Sequence, residues 1–207
     1  MASTKTSGFS LLELMIAISI SLILTAVATI TMQPTFKQQH VNDAYNLTLT
    51  SLRRAHDQAA ADMRVYVVTF SPAVAGTNGG TITVAQNVVG GPQLFSVTLP
   101  VDVTYHAEPG IPTNPVAPPT TPDGFGTGGN AFDFDQPPGG IGGSNTIYFY
   151  PDGTAEDLNG NINNGVVYMG IPGNLLSSRA VSLWGYTGRI RGWRLYLNGG
   201  VYSWSQQ

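Results

Sequence analysis

Apolar positions run almost unbroken through the start of the chain and then change rhythm twice. From Phe9 to Met32 the residues are apolar or small except for one charge, Glu13. At about 1.5 Å per residue, such a run is long enough to cross the roughly 30 Å hydrocarbon core of a bilayer as a helix. Beyond it, Val41, Tyr45, Thr48, Leu52, Ala55, Ala59 and Met63 recur at three- and four-residue steps. Asp43, Arg53 and Asp57 fall off that stripe, which predicts an amphipathic helix lying on a sheet. One helix is therefore expected over 9–62, with residues 9–32 crossing the membrane. Arg53 and Asp57 are spaced to pair across one turn. Pro34 removes a backbone donor and is expected to kink the helix or loosen its preceding turn, giving a hinge.

The second change of rhythm is to short β-branched and aromatic runs. Val65–Phe70 ends at Ser71-Pro72, and Thr81–Val89 and Gln93–Leu99 flank Gly90-Gly91-Pro92 as a hairpin. Val101–Tyr105 is a further strand or a continuation past Pro100. Thr146–Tyr150 is closed by Pro151-Asp152-Gly153, and Gly165–Met169 and Ala180–Trp184 follow. Arg189–Leu197 and Val201–Trp204, joined by Asn198-Gly199-Gly200, predict a terminal hairpin. Between these groups, residues 107–145 are dominated by proline and glycine and read as a long exposed loop. Phe125, Phe132 and Phe134 are placed to tack it onto the domain.

Composition sharpens this picture. Some 175 of 207 residues follow the apolar run, enough for one domain with a core. Only 10% of residues are charged, with 25 Gly and 14 Pro, a bias toward strands and turns. Without cysteine there is neither a disulfide nor a thiolate metal site, so the C-terminus must be pinned by packing, for which the terminal hairpin is the candidate. The net charge of −3 singles out no partner, but its distribution is uneven. From Asp102 to Asp157 every charged residue is an acid; from Leu158 onward the only charges are Arg179, Arg189, Arg191 and Arg194. Such asymmetry can orient neighbours or attract an anionic partner.

Glu13 needs an explanation, because a carboxylate in lipid costs about 3 kcal/mol or more. An amine would serve as its partner, and cleavage between Gly8 and Phe9 would create one at Phe9. Gly8, Phe9, Ser10-Leu11-Leu12-Glu13 and the apolar helix behind them resemble the processing site of type IV prepilins and pseudopilins. The resemblance implies a membrane prepilin peptidase that cuts after Gly8 and methylates the amine of Phe9. It also implies that Glu13 of one subunit pairs with a neighbour's N-terminal amine during filament assembly. Two other readings account for parts of the pattern. Ala26-Val27-Ala28 fits a secretory signal cleavage site, but the apolar run is longer than a signal core and contains Glu13. A plain single-span anchor explains the length but not Glu13. Lys5 ahead of the run favours a cytoplasmic N-terminus, while Lys37 behind it pulls the other way.

Further along, Ser51-Leu-Arg-Arg-Ala-His-Asp-Gln-Ala59, the Val65–Phe70 run, Ile147-Tyr-Phe-Tyr-Pro-Asp-Gly153 and Gly188-Arg-Ile-Arg191 are similar to the GspH/FimT group of minor pseudopilins. Many pilins close their C-terminal region with a disulfide, which this chain lacks. The proline- and glycine-rich insert and the extension after Arg191 depart from the group's pattern.

No catalytic set emerges. His40, His56 and His106 are scattered, and neither a Gly-x-Ser-x-Gly elbow nor a phosphate or dinucleotide loop is present. Asp152 to Asn163 is rich in the oxygen ligands calcium prefers, but Ile162 and Tyr168 stand where an EF-hand needs Gly and Glu. No metal or cofactor is expected. Arg189 and Arg191 are the sharpest candidates for binding: on a strand they point the same way, spaced to meet successive phosphates. Trp193 falls on their face as a stacking surface, and Arg194 on the other unless Gly192 forms a bulge. In FimT-like pilins a Gly-Arg-x-Arg segment is implicated in binding DNA for natural transformation, and Gly188–Arg191 matches it. Pairing of both arginines with the chain's own acids or with a neighbouring subunit is the competing reading.

The expected fold is α+β and pilin-like: a leader (1–8), a long N-terminal helix (9–62), and an exported β-rich head (63–207) on an antiparallel sheet. The expected function is structural and non-enzymatic. It is that of a minor subunit of a type II secretion pseudopilus or type IV pilus, anchored by one span in the bacterial inner membrane. Its head would lie in the periplasm or the extracellular filament. Its partners would be other pilin subunits, the prepilin peptidase and the membrane, with DNA capture in natural transformation as the alternative role.

Overall fold

The computed structural model describes residues 10–74, 79–113, 121–126, 129–135 and 143–207. Two units are distinguished, Met1–Lys37 and Gln38–Gln207. Helix α1, Leu11–Asp62, supplies the described part of the first and opens the second.

In the first unit, the apolar side chains from Leu11 to Val27 are all exposed. The helix is long and apolar enough to cross a membrane. Several of its hydroxyls are satisfied internally. Ser19 donates to the Met15 carbonyl at 2.8 Å, Ser21 to that of Ala17 at 2.8 Å and Thr25 to that of Ser21 at 2.7 Å. This bonding to the preceding turn satisfies those hydroxyls without water, as a hydrocarbon setting requires. Pro34 lies inside α1 and does not interrupt the helix.

In the second unit the predicted stripe is the buried face of α1. Val41, Leu52, Ala55 and Ala59 are fully buried, as is Thr48, while Asp43, Arg53 and Asp57 face solvent. Met63 departs from the expectation and is exposed. It stands just past the helix in a left-handed conformation (φ 52°), and the Arg64 amide donates back to the Ala59 carbonyl to close the end. Asp57 meets His56 at 3.2 Å rather than Arg53.

The strands are β1 (Tyr66–Ser71), β2 (Thr81–Gln86), β3 (Gln93–Thr98), β4 (Thr104–Tyr105), β5 (Phe132–Asp133) and β6 (Thr146–Phe149). They continue with β7 (Ala155–Glu156), β8 (Gly165–Gly170), β9 (Arg179–Trp184), β10 (Arg189–Asn198) and β11 (Val201–Gln206). One antiparallel sheet has the order β3-β2-β1-β6-β7; the other has β11-β10-β9-β8-β4, with β5 also paired to β8. This is the expected α+β class, a long helix packed on antiparallel sheets. Two runs are shorter than expected. The β2 strand stops at Gln86 because Asn87 turns left-handed (φ 66°), and Val101-Asp102 form a turn ahead of β4.

The main core lies between α1 and both sheets, where Tyr66, Val68 and Phe70 of β1 meet Val181 and Leu183 of β9. A second core covers the opposite face of the second sheet and joins Val166, Tyr168, Ala180, Leu195 and Trp204 to Ala107, Ile111 and Phe125. The described parts of the 107–145 segment are therefore not an exposed loop. Phe134 is fully buried and stacks on Phe70 at 5.5 Å, and Phe125 packs on Trp184 at 5.3 Å. The physical reason is the one its phenylalanines suggested: burying each aromatic ring yields about 2–3 kcal/mol against the cost of ordering a Gly-rich chain. Residues 114–120, 127–128 and 136–142 of that segment lie outside the described residues.

Candidate functional site

Alternation along β10 divides its arginines between two faces of one sheet. Register with β9 is unbroken from Arg189↔Trp184 to Arg194↔Arg179, so Gly192 forms no bulge. Arg189, Arg191 and Trp193 share one face; Gly192, Arg194 and Tyr196 share the other.

On the first face, a short 3-10 turn at Pro122–Gly124 brings Asp123 over the strands. Asp123 sits in a left-handed conformation (φ 51°), which Asp tolerates better than most residues. Its carboxylate Oδ1 accepts from Arg191 Nη1 at 2.9 Å and lies 3.5 Å from Arg189 Nη2. Its Oδ2 accepts from Ser182 Oγ at 2.5 Å, and Ser182 Oγ accepts from Trp193 Nε1 at 2.8 Å. The Asp123 side chain is 5% exposed, against 45% and 33% for Arg189 and Arg191. Arg189 also lies over the Trp184 ring at 5.6 Å. The four residues proposed as a binding surface thus divide. Arg189, Arg191 and Trp193 come together around one internal acid, and Arg194 is apart from them. Asp123 and Ser182 were not visible as partners in the sequence. The only signal was the turn-forming Thr121-Pro-Asp-Gly124.

On the second face α1 approaches the strands closely. Tyr45 packs against Gly192, where an added Cβ would overlap the Tyr45 hydroxyl. Arg179 is 2% exposed; its Nη2 donates to Asn42 Oδ1 at 3.2 Å and its Nη1 to the carbonyls of Ser177 and Ser178 at 3.1 Å. Burial, reinforced by the Arg194 charge, lowers the Arg179 pKa to about 10. The Arg194 guanidinium lies over the Tyr196 ring at 5.2 Å.

The remaining titratable groups are distributed as local partners. His40 meets Asp102 at 2.9 Å, His106 meets Glu108 at 3.0 Å, and His56 lies 3.3 Å from the Gly153 carbonyl. In the Asp152–Asn163 segment, Asp157 accepts from the Asn159 and Asn161 amides at 2.8 Å, the hydrogen bonding of a turn. Asp133 is fully buried on β5, and burial together with the nearby Asp135 charge raises its pKa to about 7.

At the other end of the chain, Glu13 occupies the first turn of α1, among exposed apolar side chains. Gly8 and Phe9 lie outside the described residues. Residues 3–29, which contain all three, match the family described as "Prokaryotic N-terminal methylation motif". The chain carries a type IV prepilin-like motif. No curated protein matches the chain, and no solved structure matches it. The motif implies association with other pilin subunits and processing by a prepilin peptidase. It marks structural rather than catalytic proteins. With the long apolar α1, it fits a chain anchored in a membrane by a single pass.

Proposed function

We propose that the protein is a minor pilin or pseudopilin of the GspH/FimT type, a structural subunit of a type II secretion pseudopilus or type IV pilus. It is cut between Gly8 and Phe9, methylated at Phe9, and held in the bacterial inner membrane by the first half of α1 with its head on the outer side. The observation that carries this reading is a methylation motif over residues 3–29 heading a helix whose apolar side chains are exposed. Those side chains need lipid or neighbouring helices, and a filament supplies the second after extraction from the first. Glu13 sits one turn into that surface, within reach of a neighbour's N-terminal amine. Its charge is costly in lipid and is neutralised on assembly.

Mass spectrometry of the membrane-extracted chain tests the first part. The expected N-terminus is N-methylated Phe9; a chain that retains Met1 or begins after Ala28 sinks the reading. Glu13→Ala is expected to insert normally and to fail in filament incorporation, as read by co-purification with sheared filaments.

DNA capture through Arg189, Arg191, Arg194 and Trp193 is the alternative role. The geometry supports an internal role for three of the four, because Asp123 and Ser182 already engage Arg189, Arg191 and Trp193. Salt-sensitive duplex binding by the full chain, lost in an Arg189→Ala/Arg191→Ala double mutant, would favour DNA capture instead.

A further inference from the structure

Arg179 and Arg194 are directly opposed on β9 and β10, with Arg179 buried. Like charges directly opposite one another on a sheet repel. Among the described residues, which include all 12 acids of the chain, none forms an ion pair with either guanidinium. Arg194 Nε is buried and has no hydrogen-bond partner there. The face continues outward from this pair. A shallow depression is lined by Tyr196, Leu197, Asn198, Ser203 and Ser205, with Val201 exposed beside it. No acidic side chain occurs between Leu158 and Gln207, so no side chain of these strands supplies a countercharge. What the face lacks is an oxyanion, and what it presents around that gap is hydroxyls, a tyrosine and exposed aliphatic carbon.

Chain connectivity indicates the source. Arg179 is bonded to Asn42, which follows Met32, the end of the apolar run, by only ten residues. An arginine flanked by tyrosine and aliphatic side chains is a combination suited to a membrane surface with anionic headgroups. We propose that Arg194, backed by the buried charge of Arg179, docks the phosphates of anionic phospholipid headgroups, with Tyr196 and Val201 resting on the membrane surface. The inference rests on the reading of α1 as a membrane anchor. The docked head is the state before the subunit enters a filament.

The test compares the full chain in nanodiscs of phosphatidylcholine with nanodiscs of phosphatidylcholine mixed with phosphatidylglycerol. The readout is amide hydrogen exchange over residues 194–205. Exchange is expected to slow about fivefold in the mixed discs, the effect of one basic residue at an anionic surface. That protection is expected to vanish in high salt and in Arg194→Gln, and to persist in Arg194→Lys. The lysine variant keeps the charge and controls for loss of fold. Equal exchange in both lipids overturns the proposal while leaving the anchor reading intact. Failure to reconstitute in either lipid overturns the anchor reading itself. Protection by inorganic phosphate in pure phosphatidylcholine discs would show a free-anion site and overturn the lipid assignment. Protection that grows with the number of chains per disc, whatever the lipid, would assign the face to a neighbouring subunit instead.

Discussion

Two arginine pairs on the same two strands have opposite fates. Arg189 and Arg191 point to the face covered by Ala107, Ile111 and Phe125 and share one buried carboxylate, Asp123. Arg179 and Arg194 point to the face that receives α1, where carbonyls and an amide oxygen satisfy Arg179 but no acid neutralises either charge. The difference teaches where the molecule is internally complete. On the first face a carboxylate of the chain itself bridges both guanidiniums; on the second, among the described residues, no acidic side chain engages either. The chain does not lack acids for the second face. It places two of them, Asp133 and Asp135, beside one another.

That placement gives the largest expected effect. A carboxyl whose folded pKa is raised above its unfolded value binds a proton on folding and opposes the fold once ionised. Asp133, raised from 3.8 to about 7, should therefore leave stability greatest below about pH 4 and erode it as pH rises toward 7. The expected loss is of the order of 3 kcal/mol. Urea unfolding of the full chain in detergent measures it through Trp184, Trp193 and Trp204, which all report on the second sheet. Asp133→Asn should flatten the profile, and an unchanged slope would refute the assignment.

Asp123→Ala breaks the acid-bridged face directly. It removes the shared acid and leaves two arginines and the Ser182 hydroxyl without it. The expected cost is about 2 kcal/mol, less than for a fully buried pair because the arginines are partly exposed. If stability were unchanged, Asp123 would be dispensable and the two faces would not differ in kind. Gly192→Ala probes the other face, where a methyl group must displace the Tyr45 hydroxyl. About 1.5 kcal/mol of destabilisation is expected from overpacking. The Tyr45→Phe background should relieve part of it, and no relief would place the strain elsewhere. The smallest effects separate the two arginines that share Asp123. Arg191→Ala, losing a 2.9 Å bond, should cost about 1 kcal/mol. Arg189→Ala, losing a 3.5 Å contact at an exposed side chain, should cost under about 0.5 kcal/mol. Equal costs would mean that Asp123 does not discriminate between them.

The helix was legible because its signals are local. The unbroken apolar run, the lone Glu13 and the stripe from Val41 to Ala59 each follow from spacing, and that stripe is buried. The terminal hairpin was legible for the same reason: Gly199 and Gly200 adopt positive φ (57° and 83°), as a tight turn between paired strands requires. The insert was misjudged because composition reports the entropy of a segment and not its partners. Gly and Pro around 107–145 say that ordering is costly; they do not say that Phe134 will stack on Phe70 or that β5 will pair with β8.

Parity along β10 places Arg189 and Arg191 together and Arg194 opposite, and that much needs only the two-residue period of a strand. Which face meets an acid depends on where a turn 66 residues earlier than Arg189 happens to dock, and no local signal carries that distance. Sequence alone determined the long helix, the strand-rich head, the processing motif and the shortage of acid in the last 50 residues. Tertiary structure alone decided that one arginine pair shares an acid and the other meets none. Charge is a property of residues, whereas ion pairing is a property of the contacts between distant segments.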